Sequence, residues 1–201
     1  MPPKFQAYAV TRLLCIALAF FALAPAREAP AQQEIPVPSW FKPSFLDLRD
    51  DVKEAAAGGR RVMIYLGQNG CPYCRKLMEV TFRDKDIVDG MHRGIDAIEI
   101  NIFGSREVTA IDGQVLTEKE FARSLKVRAT PTLVFLDEKG GIALRLDGYY
   151  EPQRFNTALE YVTGHYESKV GFREFQKTRA RGAASQGDEP RSNSSPVGLT
   201  K

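Results

Sequence analysis

Apolar positions near the start of the folded region change from helical spacing to a compact run. Residues 45–57 carry apolar side chains at roughly helical intervals, Ser44 and Asp47 suit a helix start, and Gly58-Gly59 end the pattern. Residues 61–66 (RVMIYL) then form a short apolar run bounded by glycines. The pattern predicts a helix followed by a buried strand.

Similar patterns continue to residue 161. They predict helices over residues 75–80, 84–91, 121–125 and 153–161, and strands over residues 95–103, 133–136 and 142–146. Residues 104–116 form a polar excursion that turns at Asp112-Gly113. Thr117 and Glu120 form a capping box before the helix at 121–125. The short connection at residues 137–141 predicts that the last two strands pair as an antiparallel hairpin.

The amino terminus carries a separate apolar run, Leu13–Ala24, preceded by Lys4 and Arg12. The run is shorter than the roughly 20 residues that span a bilayer and is typical of a secretory signal. Small residues offer cleavage after Ala26, which we favour, or after Ala31. We therefore expect residues 1–26 to be a signal peptide and the chain to be periplasmic, the alternative being an uncleaved anchor.

The segments that flank the predicted domain differ in composition. Residues 27–42 are rich in proline and are expected to be a linker, with Trp40 and Phe41 packing onto the domain as an anchor. Residues 164–201 are expected to form a flexible basic tail that becomes low in complexity.

Composition and charge narrow the function classes. The chain has 201 residues, 43% hydrophobic and 26% charged, which suits one soluble domain with flanking segments. Its formal charge of +3 arises in the leader and the tail, so the part between them is slightly acidic. Such a mixed surface does not favour nucleic acid. We expect a monomer without a nucleic-acid partner.

Cysteine usage changes the picture most. Of three cysteines, Cys15 lies in the leader, which leaves Cys71 and Cys74 for the mature chain. A bridge between them closes a loop too short to stabilise a fold much, so the pair is expected to be chemical. At a helix start the Cys71 thiolate is favoured as an exposed nucleophile, and Cys74, one turn later and deeper, can resolve a mixed disulfide. Pro72 tolerates an early helical position.

Metal-based readings of the pair are less well supported. A zinc site needs four ligands, and only His92 and His165 are available besides the cysteines, without finger spacing. Covalent haem attachment needs histidine after the second cysteine, where Arg75 stands. Copper bound by the two thiolates stays open as a non-enzymatic alternative. We expect no metal and no cofactor.

At this point residues 43–163 resemble the thioredoxin superfamily. The resemblance rests on the strand at 61–66, on Cys71-Pro72-Tyr73-Cys74 at a helix start, and on Thr130-Pro131-Thr132 opening a later strand. It implies a thioredoxin fold of the α/β class, with a central mixed sheet flanked by helices and a terminal hairpin and helix. It also implies a cis peptide before Pro131, close to the cysteines, and an extended substrate paired with the backbone of Thr130.

The resemblance also carries functional expectations. The Cys-Pro-Tyr-Cys pair looks like that of glutaredoxins, whereas the leader and the lead-in look more like exported bacterial thioredoxin-like proteins of the SoxW type. A thiol–disulfide oxidoreductase that reduces protein disulfides and is recharged by a membrane electron donor is expected, with Pro72 and Tyr73 tuning potential and access. A disulfide oxidase or isomerase is an alternative, although no large helical insert between Cys74 and Pro131 is evident.

The chain departs from the thioredoxin pattern behind the cysteines. Tyr65 stands where thioredoxins keep a buried aspartate that assists proton transfer at the resolving thiol, and Glu99 stands where a lysine is usual. We hypothesise that Glu99 serves as a proton relay; the alternative is an exposed strand glutamate.

Overall fold

The computed structural model describes residues 34–186. The helices are α1 (Leu48–Ala57), α2 (Pro72–Glu79), α3 (Lys85–Gly94), α4 (Glu118–Ser124), α5 (Pro152–Thr163) and α6 (Phe172–Gln186), with 3-10 turns at Thr81–Arg83 and Tyr166–Ser168. The strands are β1 (Arg61–Gly67), β2 (Ile95–Asn101), β3 (Glu107–Thr109), β4 (Val115–Thr117), β5 (Thr132–Leu136) and β6 (Ile142–Asp147).

The expected signal peptide, residues 27–33 of the expected linker and residues 187–201 of the expected tail lie outside the described residues. Within residues 34–186, no helix combines the length and the apolar character needed to cross a bilayer.

Four strands form the central sheet in the order β2-β1-β5-β6. Strand β2 runs parallel to β1, β5 runs antiparallel to β1, and β6 pairs with β5 as the terminal hairpin. Every residue of β1 is buried, which agrees with its unbroken apolar run. The predicted α/β architecture, with a mixed sheet flanked by helices, is confirmed.

The two faces of the sheet support separate halves of the core. Met63 and Tyr65 of β1 face the cluster that contains both cysteines and side chains of α2, α3 and α5. Val62 and Ile64 face the opposite cluster, against α1 and α4. Because side chains alternate along β1, the cysteines share one face of the sheet with Met63 and Tyr65.

Regular structure also occurs inside the polar excursion at 104–116, where the sequence indicated only a turn. Strands β3 and β4 pair there as a small antiparallel hairpin. Their three-residue strands are too short for a recognisable alternation. Buried Glu118 accepts hydrogen bonds from the backbone N–H groups of Asn101 (2.9 Å) and Arg106 (3.2 Å), which fixes the loop between β2 and β3.

The lead-in packs onto the domain as predicted. Phe41 is buried, and the Trp40 ring lies 4.8 Å from the Phe41 ring and 5.2 Å from the Phe82 ring. The backbone N–H of Lys42 donates to the carbonyl of Ala97 at 2.7 Å, which attaches the lead-in to edge strand β2. The predicted aromatic anchor is confirmed.

The carboxyl-terminal boundary is where the expectation differs from the structure. Instead of a flexible segment from residue 164, the chain continues through a 3-10 turn into α6. The rings of Phe172 and Phe175 lie 5.1 and 5.3 Å from the Tyr161 ring, and the Tyr161 hydroxyl donates to the Val170 carbonyl at 2.7 Å. The few aromatic residues of α6 stand among many charged ones, so the sequence shows only weak helical periodicity. Their packing against Tyr161 nevertheless holds the helix on the domain.

A buried arginine ties this terminal segment to the sheet. Arg61, only 4% exposed at the start of β1, donates to Glu138 at 2.8 Å, to Glu167 at 2.7 Å and to the Val162 carbonyl at 2.7 Å. His165, predicted as a plain surface residue, is exposed but has its Nδ1 2.8 Å from the same guanidinium. These hydrogen bonds to Arg61 hold the pKa of Glu138 down to about 2.

Candidate active site

The cysteine pair lies at the start of α2, directly after the loop that follows β1. Cys71 is the N-cap of α2, and its Sγ accepts the backbone N–H of Cys74 at 3.0 Å. The two residues are joined as a disulfide. Cys74 is fully buried and Cys71 is 4% exposed. Cys74 therefore lies deeper, as expected, while Cys71 is more covered than an exposed nucleophile because Thr130 lies against its sulfur.

The first turn of α2 provides the electrostatic setting. Pro72 is its first residue, and Tyr73 is 61% exposed beside the pair. The first N–H groups of a helix lack intrahelical acceptors and carry the positive end of the helix dipole. Negative charge on Cys71 is stabilised at this position, which favours the thiolate once the disulfide is reduced.

The Thr130–Pro131 segment faces the pair from the neighbouring strand. The peptide bond between Thr130 and Pro131 is cis, and Pro131 immediately precedes β5, which pairs with β1. Cys71 Sγ lies 3.5 Å from the Thr130 carbonyl oxygen and accepts a hydrogen bond from the Thr130 hydroxyl at 3.2 Å. The hydroxyl contact was missed by sequence reasoning, because the Thr-Pro-Thr motif indicates the backbone and leaves the side-chain direction open.

Behind the cysteines the core is aromatic and aliphatic. Tyr65 belongs to the same buried cluster as the cysteines and Leu77, and its hydroxyl lies over Gly67, where any larger residue would collide with it. Burial, reinforced by the charge of Glu99, raises the pKa of Tyr65 far above its usual value. The phenol therefore stays neutral and cannot replace an ionised carboxylate as a base at neutral pH.

Glu99 lies on the same face of the sheet. It is the register partner of Tyr65 in the parallel pair β1–β2, and it is half-buried rather than exposed. Burial raises the pKa of Glu99; Arg106 opposes this effect, and Glu118 and Glu34 add to it. Within residues 34–186, no hydrogen bond joins the Glu99 side chain to either cysteine.

Two contacts tie the loop after β6 to α2 and to the 3-10 turn that follows it. The Lys76 ammonium lies 4.5 Å from the centre of the Tyr149 ring, a cation–π contact between α2 and the loop after β6. The Thr81 hydroxyl donates to the Tyr150 carbonyl at 2.8 Å and ties the same loop to the 3-10 turn after α2. Phe103, after β2, is 66% exposed.

In the part of the chain that the structure describes, His, Cys, Asp and Glu side chains form no group of three or more that could hold a metal ion. The disulfide between Cys71 and Cys74 suits two-electron exchange between sulfur atoms.

Comparison with known proteins places this geometry in a class. A family model described as a thioredoxin-like domain matches residues 48–163, so the chain belongs to that family. No curated protein matches the sequence.

The chain is also similar to several solved structures. A thioredoxin-fold protein from Helicobacter pylori is 21% identical, with 64% of this chain and 84% of that chain covered and a TM-score of 0.54. A thioredoxin from Thermus thermophilus is 26% identical over 58% of this chain and 83% of that one, with a TM-score of 0.46. The oxidised C-terminal domain of DsbD from Neisseria meningitidis is 13% identical over 57% and 92%, with a TM-score of 0.43. The first likeness establishes a thioredoxin fold.

Proposed function

We propose that the chain is a thiol–disulfide oxidoreductase that reduces protein disulfides through Cys71 and Cys74. The observation that carries the proposal is the disulfide at the start of α2, with Thr130 against the outer sulfur. The N–H of Cys74 and the Thr130 hydroxyl both donate to the outer sulfur, so the position also suits the Cys71 thiolate of the reduced pair.

The proposed reaction has two exchange steps. The Cys71 thiolate attacks one sulfur of a substrate disulfide, forms a mixed disulfide and releases the other substrate sulfur as a thiolate, which takes up a proton. The Cys74 thiolate, formed by loss of its proton, then attacks Cys71 Sγ and releases the second substrate thiolate. Two electrons pass to the substrate, and the protein ends with the Cys71–Cys74 disulfide.

Substrate binding is proposed to use the backbone of Thr130. The Thr130 carbonyl lies beside Cys71 Sγ, and an extended substrate strand pairing with the residue before Pro131 would bring its own sulfur to the same point. The exposed ring of Tyr73, two residues after Cys71, offers an apolar contact beside it.

The direction and the compartment belong to the same proposal. The apolar leader supports export to the periplasm, and a reductase working there needs a membrane electron donor to convert its disulfide back to the dithiol. The reducing direction is supported by the connection from α2 to Pro131, where the described insert is a small hairpin rather than a helical domain.

We also propose that Glu99 takes the proton of Cys74 during resolution. Neutral Tyr65 leaves Glu99 as the carboxylate on this face of β1–β2, and its half-buried position favours proton uptake. Glu99→Gln is expected to change the pH dependence of Cys74 reactivity and of disulfide reduction. Unchanged profiles would rule the relay out.

Trapping of the mixed disulfide tests the central step. With Cys74→Ser, the substrate should stay bound to Cys71 and appear as a covalent adduct that dithiothreitol releases. Cys71→Ser is the matched control and should give no adduct. If neither variant forms an adduct while the reduced wild-type chain binds Cu(I) tightly, the protein is a metal-binding module and the proposal is wrong.

A further inference from the structure

A basic cleft lies between α5 and α6, on side chains that the redox chemistry does not use. It has a volume of about 660 Å³. Its lining includes four cationic side chains and two amides, which are Arg154, Arg173, Lys177, Arg179, Gln153 and Gln176. All of these groups donate hydrogen bonds, so the cleft suits an anion with several acceptor oxygens.

Most of this positive charge is not neutralised within residues 34–186. Arg154 stacks on the Tyr150 ring at 4.8 Å and has no carboxylate partner there, and Arg173 has none either. Lys177 lies 3.9 Å from Glu174, with both side chains 59% exposed. Such an exposed pair leaves the ammonium free to meet another anion.

Two carboxylates do border the cleft. Arg179 forms an ion pair with Glu160, and Glu174 lies on the outward side of α6. The cleft cations therefore outnumber the adjacent acids, but a long polyanion laid along the helix would meet both glutamates. Separate anionic groups that move independently can avoid these two glutamates, whereas the fixed charges of a continuous polyanion cannot.

The cations are held in place by the packing of α6. Phe172 and Phe175 point into the domain against Tyr161, and Glu167 is bound by Arg61. The apolar side of α6 is thereby used internally, and its basic side faces outward. Arg173, Lys177 and Arg181 are exposed at four-residue spacing, so they form a row of about 12 Å at 1.5 Å per residue.

We propose that the cleft and this row bind the phosphate headgroups of an anionic phospholipid membrane. A row of that length exceeds what one phosphate can contact, whereas a plane of headgroups meets all its members. The outward side of α6 offers no large apolar side chain for insertion among residues 172–182. The contact is therefore peripheral and electrostatic, and it weakens as salt increases.

Membrane contact here would also orient the cysteine end. Helix α5 begins after the loop that leaves β6 at Asp147, and Asp147 pairs with Thr132, the residue after Pro131. Arg154, in the first turns of α5, thus lies at the same end of the sheet as the cysteines. Docking would bring the pair near a membrane electron donor, although the binding itself does not depend on the proposed redox activity.

Vesicle sedimentation tests the proposal with matched variants of the full chain. The probes are vesicles of phosphatidylcholine with and without phosphatidylglycerol. The cleft variant carries Arg154→Gln, Arg173→Gln and Lys177→Gln, and the control carries Lys53→Gln, Lys119→Gln and Lys139→Gln, which removes the same charge elsewhere. Thermal unfolding verifies that both variants fold, and the shared amino terminus keeps any leader contribution equal.

We expect the unaltered chain and the control to bind phosphatidylglycerol vesicles more tightly than phosphatidylcholine vesicles. The cleft variant should lose at least about tenfold in affinity, since each basic residue near an anionic surface contributes measurably. Equal binding by the cleft variant and the control would overturn the proposal. Displacement by soluble glycerol phosphate, or tighter binding of duplex DNA than of vesicles, would overturn it as well.

Discussion

Polar groups are buried near both ends of β1, Arg61 at the amino end and Cys71 beyond the other end, and their surroundings differ. At the amino end, Arg61 is surrounded by carboxylates and a carbonyl that satisfy its charge. Beyond the other end, Cys71 Sγ accepts from one hydroxyl and one backbone N–H, which suit a sulfur anion, and it also lies 3.5 Å from the Thr130 carbonyl oxygen. The amino end stabilises a fixed arrangement, whereas the cysteine end leaves a sulfur ready to exchange partners.

The largest expected effect is on disulfide reduction, which should be lost on substitution at the cysteine end and kept on substitution at the amino end. Cys71→Ser should abolish reduction of a protein disulfide such as insulin, because the attacking sulfur is gone. Arg61→Met should retain the activity at temperatures where it stays folded. Reduction that persists in Cys71→Ser would break the assignment of chemistry to the cysteine end.

The free energy of unfolding, unlike the activity, should depend strongly on the amino end of β1. Arg61→Met removes the donor to Glu138, Glu167 and the Val162 carbonyl, and we expect a loss of about 2 kcal/mol in the free energy of unfolding, discounted because Glu138 is partly exposed. Urea unfolding measures it. Arg49→Met, which breaks an exposed pair with Asp47, should cost much less, because solvent screens exposed ion pairs. Equal losses in the two variants would contradict the anchoring role of Arg61.

Acid should weaken the amino end. The hydrogen bonds from Arg61 lower the pKa of Glu138 from 4.5 to about 2. Burial raises the pKa of Glu167, but the hydrogen bond from Arg61, a backbone hydrogen bond and nearby positive charge together lower it on balance. These carboxylates contribute stability above pH 4.5, and it is lost as the pH falls towards 2. The free energy of unfolding of Arg61→Met should fall less steeply over that range. Parallel curves for the two chains would show that the cluster has no such role.

A smaller effect is expected from the hydroxyl at the cysteine end. Thr130→Val keeps the shape of the side chain and removes the donor to Cys71 Sγ. Alkylation of reduced Cys71 at mildly acidic pH should slow about tenfold, which corresponds to one hydrogen bond to a charged group. Thr130→Ser should restore the rate. No slowing would mean that the hydroxyl does not stabilise the thiolate.

The smallest expected effect concerns Glu99. Because burial raises its pKa, the folded state disfavours the ionised carboxylate, and Glu99 lowers stability as the pH rises through that pKa. Glu99→Gln should raise the free energy of unfolding by a few tenths of a kcal/mol, roughly, at neutral pH and leave it unchanged in acid where Glu99 is protonated. A gain of equal size at both pH values would point to packing instead.

The sequence predicted which residues meet at the cysteine end, except for the Thr130 hydroxyl contact and the burial of Cys71, and it predicted little of the amino end. The apolar run of β1 and the CXXC pair are local patterns that predict the strand and the helix start, and the resemblance to thioredoxins implied that Thr130-Pro131 lies close to the cysteines. The Arg61 cluster joins residues 77 and 106 positions apart, which no local pattern encodes. Helix α6 was not predicted for the same reason, since its few aromatic residues are buried only by contact with α5.

The reduction potential of the Cys71–Cys74 pair tests the central claim most directly. It is measured by equilibrating the protein with glutathione buffers and quantifying the dithiol fraction. A reductase is expected to lie near the value of thioredoxin, about −270 mV, whereas a value near about −120 mV is typical of a strong oxidant. The first result would support a protein that donates electrons to disulfides; the second, or a pair that does not exchange at all, would contradict it.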